Sequence, residues 1–277
     1  MLFMCAGMAC FSSMDVLAKL LVRDLPPMVA VWGRYAGGLV PLLVLLPFLG
    51  WRRFVITGRP VLQAIRGATL VGCSALFFTA LQTLPLADAS AISFVSPLFV
   101  TCMAALFLGE RVGWKRWAAI AIGLGGVLVI VRPAGLGSGA YGWAPLLPLG
   151  MAFLFACYQI LTRLLGATDG PLAILFIGVA VGTALTSLAV PFFWAPPTAW
   201  QYAAFLALGG IGLIGHWCLI QAFMWAPAAH LAPFVYTQIL WAVLFGLAVF
   251  GDVPDMLTLA GAAIVTACGI AVARIKG

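Results

Sequence analysis

Long apolar runs fill most of the chain and restrict what it can fold into. Only 8% of the 277 residues are charged, against about 25% in soluble domains, so the surface of the folded chain must face lipid. The runs are continuous and do not alternate like the short strands of a transmembrane barrel. They predict an all-α membrane protein with ten transmembrane helices, each close to the ~20 residues that a bilayer requires. The predicted spans cover residues 2–22, 28–49, 64–84, 89–108, 116–131, 142–163, 171–193, 200–224, 230–250 and 256–273.

This architecture leaves no room for a soluble catalytic or nucleotide-binding domain. The seven cysteines all fall inside apolar runs without metal-ligand spacing, and the only histidines are His216 and His230. No metal site, disulfide or cofactor is therefore expected. The absence of a GxxxxGK[ST] motif excludes direct use of ATP by this chain, and an intramembrane enzyme would lack its clustered catalytic residues. A carrier is favoured over a channel, because rings of pore-lining charge are absent.

The basic residues indicate how the spans are oriented. Ten of the fourteen lie on one side of the predicted membrane, which the positive-inside rule assigns to the cytoplasm. Both termini are then cytoplasmic, in a multi-pass protein of a bacterial-type inner membrane. The first run carries Asp15 and Lys19 and has no basic leader, so we expect a true first span and not a cleaved signal. The net charge of +7 reports this topology and not a nucleic-acid partner. The ten residues are Arg52, Arg53, Arg59, Arg66, Arg111, Lys115, Arg116, Arg163, Arg274 and Lys276.

The two halves of the chain resemble each other. The segment FSSMDVLAKLL at 11–21 aligns with FACYQILTRLL at 155–165, at an offset of 144 residues. Further along, ALQTLPLADASA at 80–91 aligns with AFMWAPAAHLAP at 222–233, at an offset of 142 residues. Two nearby offsets that hold across a whole half-chain indicate an internal repeat.

Five spans in each half make two units of one kind, residues 1–133 and residues 141–277. Because five is odd, the second unit must insert upside down relative to the first. Inverted repeats are typical of secondary transporters, whose substrate site lies near the midplane between the halves. A shared Leu/Ala/Gly-rich composition is the alternative source of the similarity. It does not account for the aligned prolines, or for GER at 109–111 opposite GDV at 251–253.

Three stretches carry a resemblance to a known family. They are KLLVRDLPPMVAVWGRY at 19–35, SFVSPLFVTCMAALFLGERV at 93–112 and HLAPFVYTQILWAVLFGLAVFGDVP at 230–254. They resemble the ten-span EamA-type members of the drug/metabolite transporter superfamily, and the GER after the fourth span is the most specific element. The resemblance implies two inverted five-helix repeats, a cavity lined by spans one to four and six to nine, and spans five and ten outside. It also implies transport of small metabolites, and the chain looks closest to amino-acid and metabolite exporters.

Ionisable residues within the spans are the first functional candidates, since charge is expensive in the bilayer core. Asp15 and Lys19 share a helix face, so they either neutralise each other or leave Asp15 to hold a substrate ammonium or a proton. Arg34 either extends to the outer interface or guards the cavity mouth. His216 aligns with Ser74 in the repeat, and it either lines the cavity or packs through a hydrogen bond. Asp15, Lys19 and Arg34 are the gate or coupling candidates.

The remaining cavity candidates are aromatic or uncharged. Gln159 aligns with Asp15, which favours a shared polar position over an obligatory proton site. Lys19 and Arg34 are the only deep basic residues expected, so the cavity suits neutral or zwitterionic amphipathic solutes better than polyanions. The other candidates for lining the cavity are Phe78, Gln82, Phe94, Pro97, Thr101, Tyr158, Tyr236, Gln238 and Trp241.

The favoured hypothesis is a secondary transporter that exports amino acids or similar metabolites by alternating access. An importer of a vitamin or a nucleoside-like compound on the same fold is the alternative, and the sequence does not separate the two. The expected partners are a small-molecule substrate and the lipid bilayer. Both a monomer and a homodimer remain open.

Overall fold

The computed structural model is helical throughout its regular elements. It describes residues 2–107, 113–131, 142–166, 168–225, 234–235 and 237–274, and no β-strand occurs in those ranges. The α-helices in chain order are α1 (Leu2–Leu21), α2 (Pro27–Leu49), α3 (Arg52–Val55), α4 (Pro60–Ala80), α5 (Leu86–Ser93), α6 (Ser96–Phe107), α7 (Trp114–Val131), α8 (Leu146–Leu165), α9 (Pro171–Ala189), α10 (Ala199–Trp225), α11 (Thr237–Phe245) and α12 (Met256–Arg274). A 3₁₀ turn at Val190–Phe193 follows α9, and a π-helical turn at Gly246–Phe250 follows α11.

Six helices in the described ranges are long and apolar enough to cross a membrane. They are α1, α2, α4, α8, α10 and the segment Pro171–Phe193 that begins with α9. Four further apolar helical segments are shorter, at Leu86–Val100, Trp117–Ile130, Thr237–Phe250 and Met256–Cys268. The predicted all-α membrane class is confirmed. A total of ten spans remains a prediction.

Prolines start three of the long helices. Pro27, Pro60 and Pro171 each occupy the beginning of a helix, where the missing N–H of proline would have no partner in any case. The starts predicted for these three spans, at residues 28, 64 and 171, are therefore correct to within a few residues. The largest shift is at α4, which begins at Pro60 and not at residue 64.

The predicted fourth span is not one continuous helix. It consists of α5, which ends at Ser93, and α6, which begins at Ser96. Pro97 explains the break, because it has no N–H to donate to the carbonyl of Ser93 four residues earlier. Residues 230–233 and 236 of the predicted ninth span lie outside the described residues, and so do 108–112 with the GER motif.

Helices of the first half pack mainly against helices of the second half. α1 packs against α10, and α4 packs against α8. α2 lies against both α9 and α10, and α9 also contacts α4. α1 packs against α11, and α6 packs against α8. α7 and α12 pack mainly against each other.

Glycines bring α2 and α10 into backbone contact. A Cβ atom added to Gly37 would overlap the carbonyl oxygen of Phe205, and one added to Gly209 would overlap the backbone nitrogen of Gly38. Glycines also allow α7 and α12 to approach closely, since a Cβ on Gly261 would lie 2.7 Å from the carbonyl oxygen of Gly126. Small residues allow such close approach between membrane helices. We call the contact of Gly37 and Gly38 with Gly209 the glycine crossing.

Candidate functional site

Arg34 lies at the centre of a buried polar network. Its guanidinium projects from α2 and donates through Nη1 to the hydroxyl of Ser74 on α4. Its Nη2 lies 3.1 Å from Nε2 of His216 on α10. Arg34 is only 8% exposed, so the alternative that it extends to the outer interface is wrong. The glycine crossing holds α10 against α2 one turn after Arg34, and this brings α10 within reach of the side chain.

The protons around His216 follow from the chemistry of its neighbours. Arginine only donates, so Nε2 of His216 must accept from Arg34. The proton of the neutral ring then sits on Nδ1, which lies 3.2 Å from the hydroxyl of Tyr158 on α8 and donates to it. A protonated imidazole would instead place a second donor against the guanidinium. His216 therefore connects the first half of the chain to Tyr158 as a neutral relay of hydrogen bonds.

Ser74 completes the other side of the network. Its hydroxyl donates to the carbonyl oxygen of Leu70 at 2.9 Å, one turn earlier in α4. The Ser74 oxygen is then left to accept, both from Arg34 and from the hydroxyl of Tyr35 at 3.2 Å. Arg34 is thus held between Ser74 and His216, two residues that the repeat predicted from the sequence aligns with each other.

Arg66 is a second buried arginine, and the sequence analysis does not single it out as a site residue. It is one of the ten basic residues that the positive-inside rule assigns to the cytoplasmic side, and it is 2% exposed. Its Nε donates to Thr162 at 2.8 Å, its Nη1 to the carbonyl oxygen of Ile174 at 3.0 Å and its Nη2 to Tyr158 at 2.7 Å. The expectation that Lys19 and Arg34 are the only deep basic residues is therefore wrong. Pro60 was the missed signal, because a helix that starts there carries Arg66 past its first turn.

Asp15 and Lys19 do not neutralise each other. The Nζ of Lys19 lies 2.5 Å from the Oδ2 of Asp252 and 4.6 Å from the centre of the Phe250 ring. Asp15 is 5% exposed and accepts a 3.4 Å hydrogen bond from Gln238 on α11. The alternative of a mutual ion pair is wrong, because the end of the π-helical turn presents a closer carboxylate to Lys19. We call this contact the Lys19–Asp252 pair.

The other candidates lie in different places. Phe78 is buried in the apolar core, and Phe94 is buried at the break between α5 and α6. Gln159 donates to Ser96 at 3.5 Å, and the Trp241 ring stacks on Phe245 at 5.8 Å between centroids. Gln82 lies beyond the end of α4, is exposed and donates to the carbonyl oxygen of Val22 at 3.3 Å. Pro97 and Thr101 lie in α6, and Tyr236 lies outside the described residues. Of the predicted set, the structure brings together Arg34, Tyr158 and His216 in one cluster, and Asp15 and Gln238 in another.

Comparison with known proteins identifies the family. The model of the EamA-like transporter family matches residues 1–132. The chain is also 31% identical over 272 residues to the Pseudopaline exporter CntI of Pseudomonas aeruginosa strain UCBPP-PA14, covering 96% of this chain and 93% of the relative. The chain belongs to the EamA-like transporter family. The resemblance stated from the sequence is confirmed, and this protein is a small-molecule transporter and not an enzyme.

Other relatives of this EamA-like transporter carry different names. It is 32% identical over 276 residues to the Riboflavin transporter of Rhizobium johnstonii, covering 97% of this chain and 88% of the relative. It is 28% identical over 227 residues to the S-adenosylmethionine uptake transporter of Rickettsia bellii, covering 80% of this chain and 76% of the relative. A crystal structure that is 20% identical matches 97% of this chain with a TM-score of 0.65, which shows a common fold.

Asp169, in the connection between α8 and α9, binds the connection before α4 and the first turn of α4. Its carboxylate accepts from the Thr57 hydroxyl, from the Gly58 N–H at 3.0 Å and from the Gln63 amide at 2.8 Å. Burial alone would raise the pKa of Asp169, but these bonds and one from Thr168 outweigh it and hold the pKa below its usual value. We call Asp169 with Thr57, Gly58 and Gln63 the Asp169 cradle.

Proposed function

We propose that this EamA-like transporter exports amino acids or closely related amphipathic metabolites across the bacterial inner membrane. It works by alternating access between two inverted five-helix repeats, residues 1–133 and 141–277, with both termini in the cytoplasm. The charge asymmetry of the loops supports the orientation.

Two polar contacts support the inverted repeats. Asp15 accepts from Gln238 at 3.4 Å, and Gln159 donates to Ser96 at 3.5 Å. The offset of 144 residues relates Asp15 to Gln159, and the offset of 142 residues relates Ser96 to Gln238. Each contact is therefore the image of the other under the repeat alignment, although the four residues differ in chemistry.

The helix pairs support the same symmetry. The repeat exchanges α1 with α8 and α4 with α10, so the α1–α10 contact has its image in the α4–α8 contact. In the same way, α2 with α10 corresponds to α9 with α4, and α1 with α11 corresponds to α8 with α6. The α2–α9 and α7–α12 pairs map onto themselves. A shared helix composition does not produce this pairing.

The single observation that carries the function is the position of Arg34. It lies between Ser74 and His216, which belong to different halves and occupy equivalent positions in them. A movement of one half against the other changes the surroundings of this charge, and that is what alternating access requires of a substrate site. The substrate is then bound where the halves meet, with Asp15, Tyr158 and Gln238 nearby in the packed helices.

Import of a vitamin-like compound is the second candidate function. The relatives named for riboflavin and for S-adenosylmethionine uptake favour it, whereas the relative named as a pseudopaline exporter favours export. Uptake and export use the same alternating mechanism and differ in substrate and gradient.

Solute flux in proteoliposomes tests the proposal. Purified protein is reconstituted, and the flux of radiolabelled threonine, methionine and riboflavin is followed with and without an imposed pH gradient. Saturable amino-acid flux above that of empty liposomes is the expected result, and its response to the gradient separates coupled from facilitative transport. Flux of riboflavin alone would favour the vitamin importer, and no flux of either amino acid would contradict amino-acid export.

A further inference from the structure

Arg34 carries a buried charge whose direct partners are neutral. Its hydrogen-bond partners are a serine hydroxyl and an imidazole, and no carboxylate forms an ion pair with it among the described residues. A charge buried in a membrane protein is strongly unfavourable without a counter-ion. An arginine kept in this state is typical of a site that receives its negative partner from a ligand.

Arg66 provides the contrast within the same network. All three of its nitrogens donate to oxygen atoms, of Thr162, Ile174 and Tyr158. Its hydrogen bonds leave no nitrogen free, and it contacts three residues of the second half. Arg66 therefore holds helices together, whereas Arg34 retains capacity to bind.

Two donors of the network are left over within the described residues. The Nε of Arg34 has no hydrogen-bond acceptor there, while Nη1 and Nη2 are used. The Tyr158 hydroxyl accepts from Arg66 and from His216, so its own proton remains to be donated. A guanidinium N–H and a phenolic O–H are the donors that a carboxylate accepts with strong bonds.

Asp15 supplies the complementary charge. α1 brings it towards Arg34, because a Cβ atom added to Gly212 of α10 would lie 3.2 Å from Sδ of Met14 and 3.9 Å from Nε of Arg34. Asp15 and Arg34 do not form a direct ion pair. Its carboxylate is buried and has a single hydrogen bond, from Gln238, within the described part of the chain. A buried carboxyl group and a buried guanidinium that do not pair with each other are the groups that would bind the two charged ends of one small zwitterion.

We infer that Arg34 and Asp15 together recognise the α-amino acid zwitterion, with the substrate carboxylate on Arg34 and its ammonium group on Asp15. The inference rests on the proposed transport of amino acids and adds the residues that select the substrate. Tyr158 donates the second hydrogen bond to the carboxylate, and His216 keeps the guanidinium in place.

Competition by substrate analogues tests the inference on the unmodified protein. Methionine amide lacks the carboxylate and N-acetylmethionine lacks the ammonium group, while both keep the side chain. Each is added to proteoliposomes that transport radiolabelled methionine. Each analogue is expected to inhibit about 10-fold or more weakly than unlabelled methionine, because it loses one charge-assisted contact.

Variants then assign each contact to its residue. In Arg34→Gln, unlabelled methionine is expected to inhibit transport no better than methionine amide does. In Asp15→Asn, unlabelled methionine is expected to inhibit transport no better than N-acetylmethionine does. Arg53→Gln removes an exposed arginine on α3 and is expected to keep both preferences. If methionine is transported and the analogues inhibit as well as methionine does, the inference is overturned and the transport function stands. If methionine is not transported at all, the proposed function fails and the inference falls with it.

Discussion

The Lys19–Asp252 pair and the Asp169 cradle both join the first half of the chain to the second, but they use different chemistry. The Lys19–Asp252 pair is one contact between opposite charges, 10% and 25% exposed at their side chains, next to the ring of Phe250. The Asp169 cradle contains a single charge, bound only by neutral donors that include the backbone N–H of Gly58. The orientation proposed above assigns the pair to the outer face and the cradle to the cytoplasmic face.

The difference between these two contacts indicates at which end the two halves of the chain separate more easily. The Lys19–Asp252 pair is a single contact on a flexible lysine, and water and salt reach its carboxylate, which is 25% exposed, so we expect it to contribute about 1 kcal/mol. Hydrogen bonds to a charged acceptor contribute about 1.5–3 kcal/mol each, and the cradle has several, one of them from a fixed backbone group. We therefore expect the halves to separate first at the Lys19–Asp252 pair and to stay together longer at the Asp169 cradle.

The largest expected effect is that of Asp169→Asn. The amide has one acceptor oxygen, and its NH₂ group would face the donors of Thr57, Gly58 or Gln63. We expect the free energy of unfolding to fall by about 2–3 kcal/mol, measured by thermal unfolding in detergent. Asp24→Asn, in the exposed turn between α1 and α2, is the matched control and should leave the stability unchanged. An equal loss in both variants would remove the cradle as a stabilising element.

Acid should weaken the Asp169 cradle next. The pKa of Asp169 is lowered in the folded state, so the folded protein binds this proton less tightly than the unfolded chain does. The stabilisation is complete above the unfolded carboxyl pKa of about 4 and is lost as the pH falls through the lower folded value. The stability difference between wild type and Asp169→Asn should therefore narrow below about pH 4. Thermal unfolding across a pH series measures it, and a difference that widens in acid would contradict the assignment.

A smaller effect is expected from breaking the Lys19–Asp252 pair. Asp252→Asn keeps the shape of the side chain and removes its charge, so we expect a loss of about 1 kcal/mol. A double-mutant cycle with Lys19→Gln should give a coupling energy of similar size. Transport should respond more than stability does, with altered methionine flux at unchanged protein yield. A coupling energy of zero would mean that the contact does not hold the halves together.

The smallest effect is that of salt. Raising the ionic strength from about 0.1 M to about 1 M shortens the screening length from about 10 Å to about 3 Å. The stability difference caused by Asp252→Asn should shrink by less than about 0.5 kcal/mol, while that caused by Asp169→Asn should stay constant. The same unfolding assay in the two buffers checks this, and an equal response of both variants would erase the distinction drawn between them.

Local features of the sequence predicted most of the helices but not the contacts between them. Proline at Pro27 and Pro171 marks a helix start, because proline chemistry acts over a single turn. The break before Pro97 follows in the same way from the missing N–H of proline. The uninterrupted apolar run at 89–108 instead predicts one continuous span. The burial of Arg66 was not predicted, because a charge near a predicted loop is usually solvated. Its burial depends on acceptors from α8 and α9, about a hundred residues away in the chain.

The candidate site was predicted residue by residue and not as a constellation. Arg34, His216 and Tyr158 were each chosen because polar groups are rare in the spans. Their contact depends on how closely α2 approaches α10, and the sequence does not specify which glycines meet. The partner of Lys19 was missed for a similar reason. A helix places Asp15 on the same face, whereas only the fold brings Asp252 to the end of α1.

The glycine crossing is a point about which α2 can pivot against α10. Two backbones in contact cannot part without opening a gap, but they can rotate about the point where they touch. Arg34 lies about 6 Å along the helix from Gly38, so it is close to the pivot point. A small rotation then displaces the ends of the 23-residue helix far more than it displaces Arg34. A methyl group at Gly37 or Gly209 would overlap the facing backbone and push α2 and α10 apart. Arg34 would then move away from His216 even without substrate.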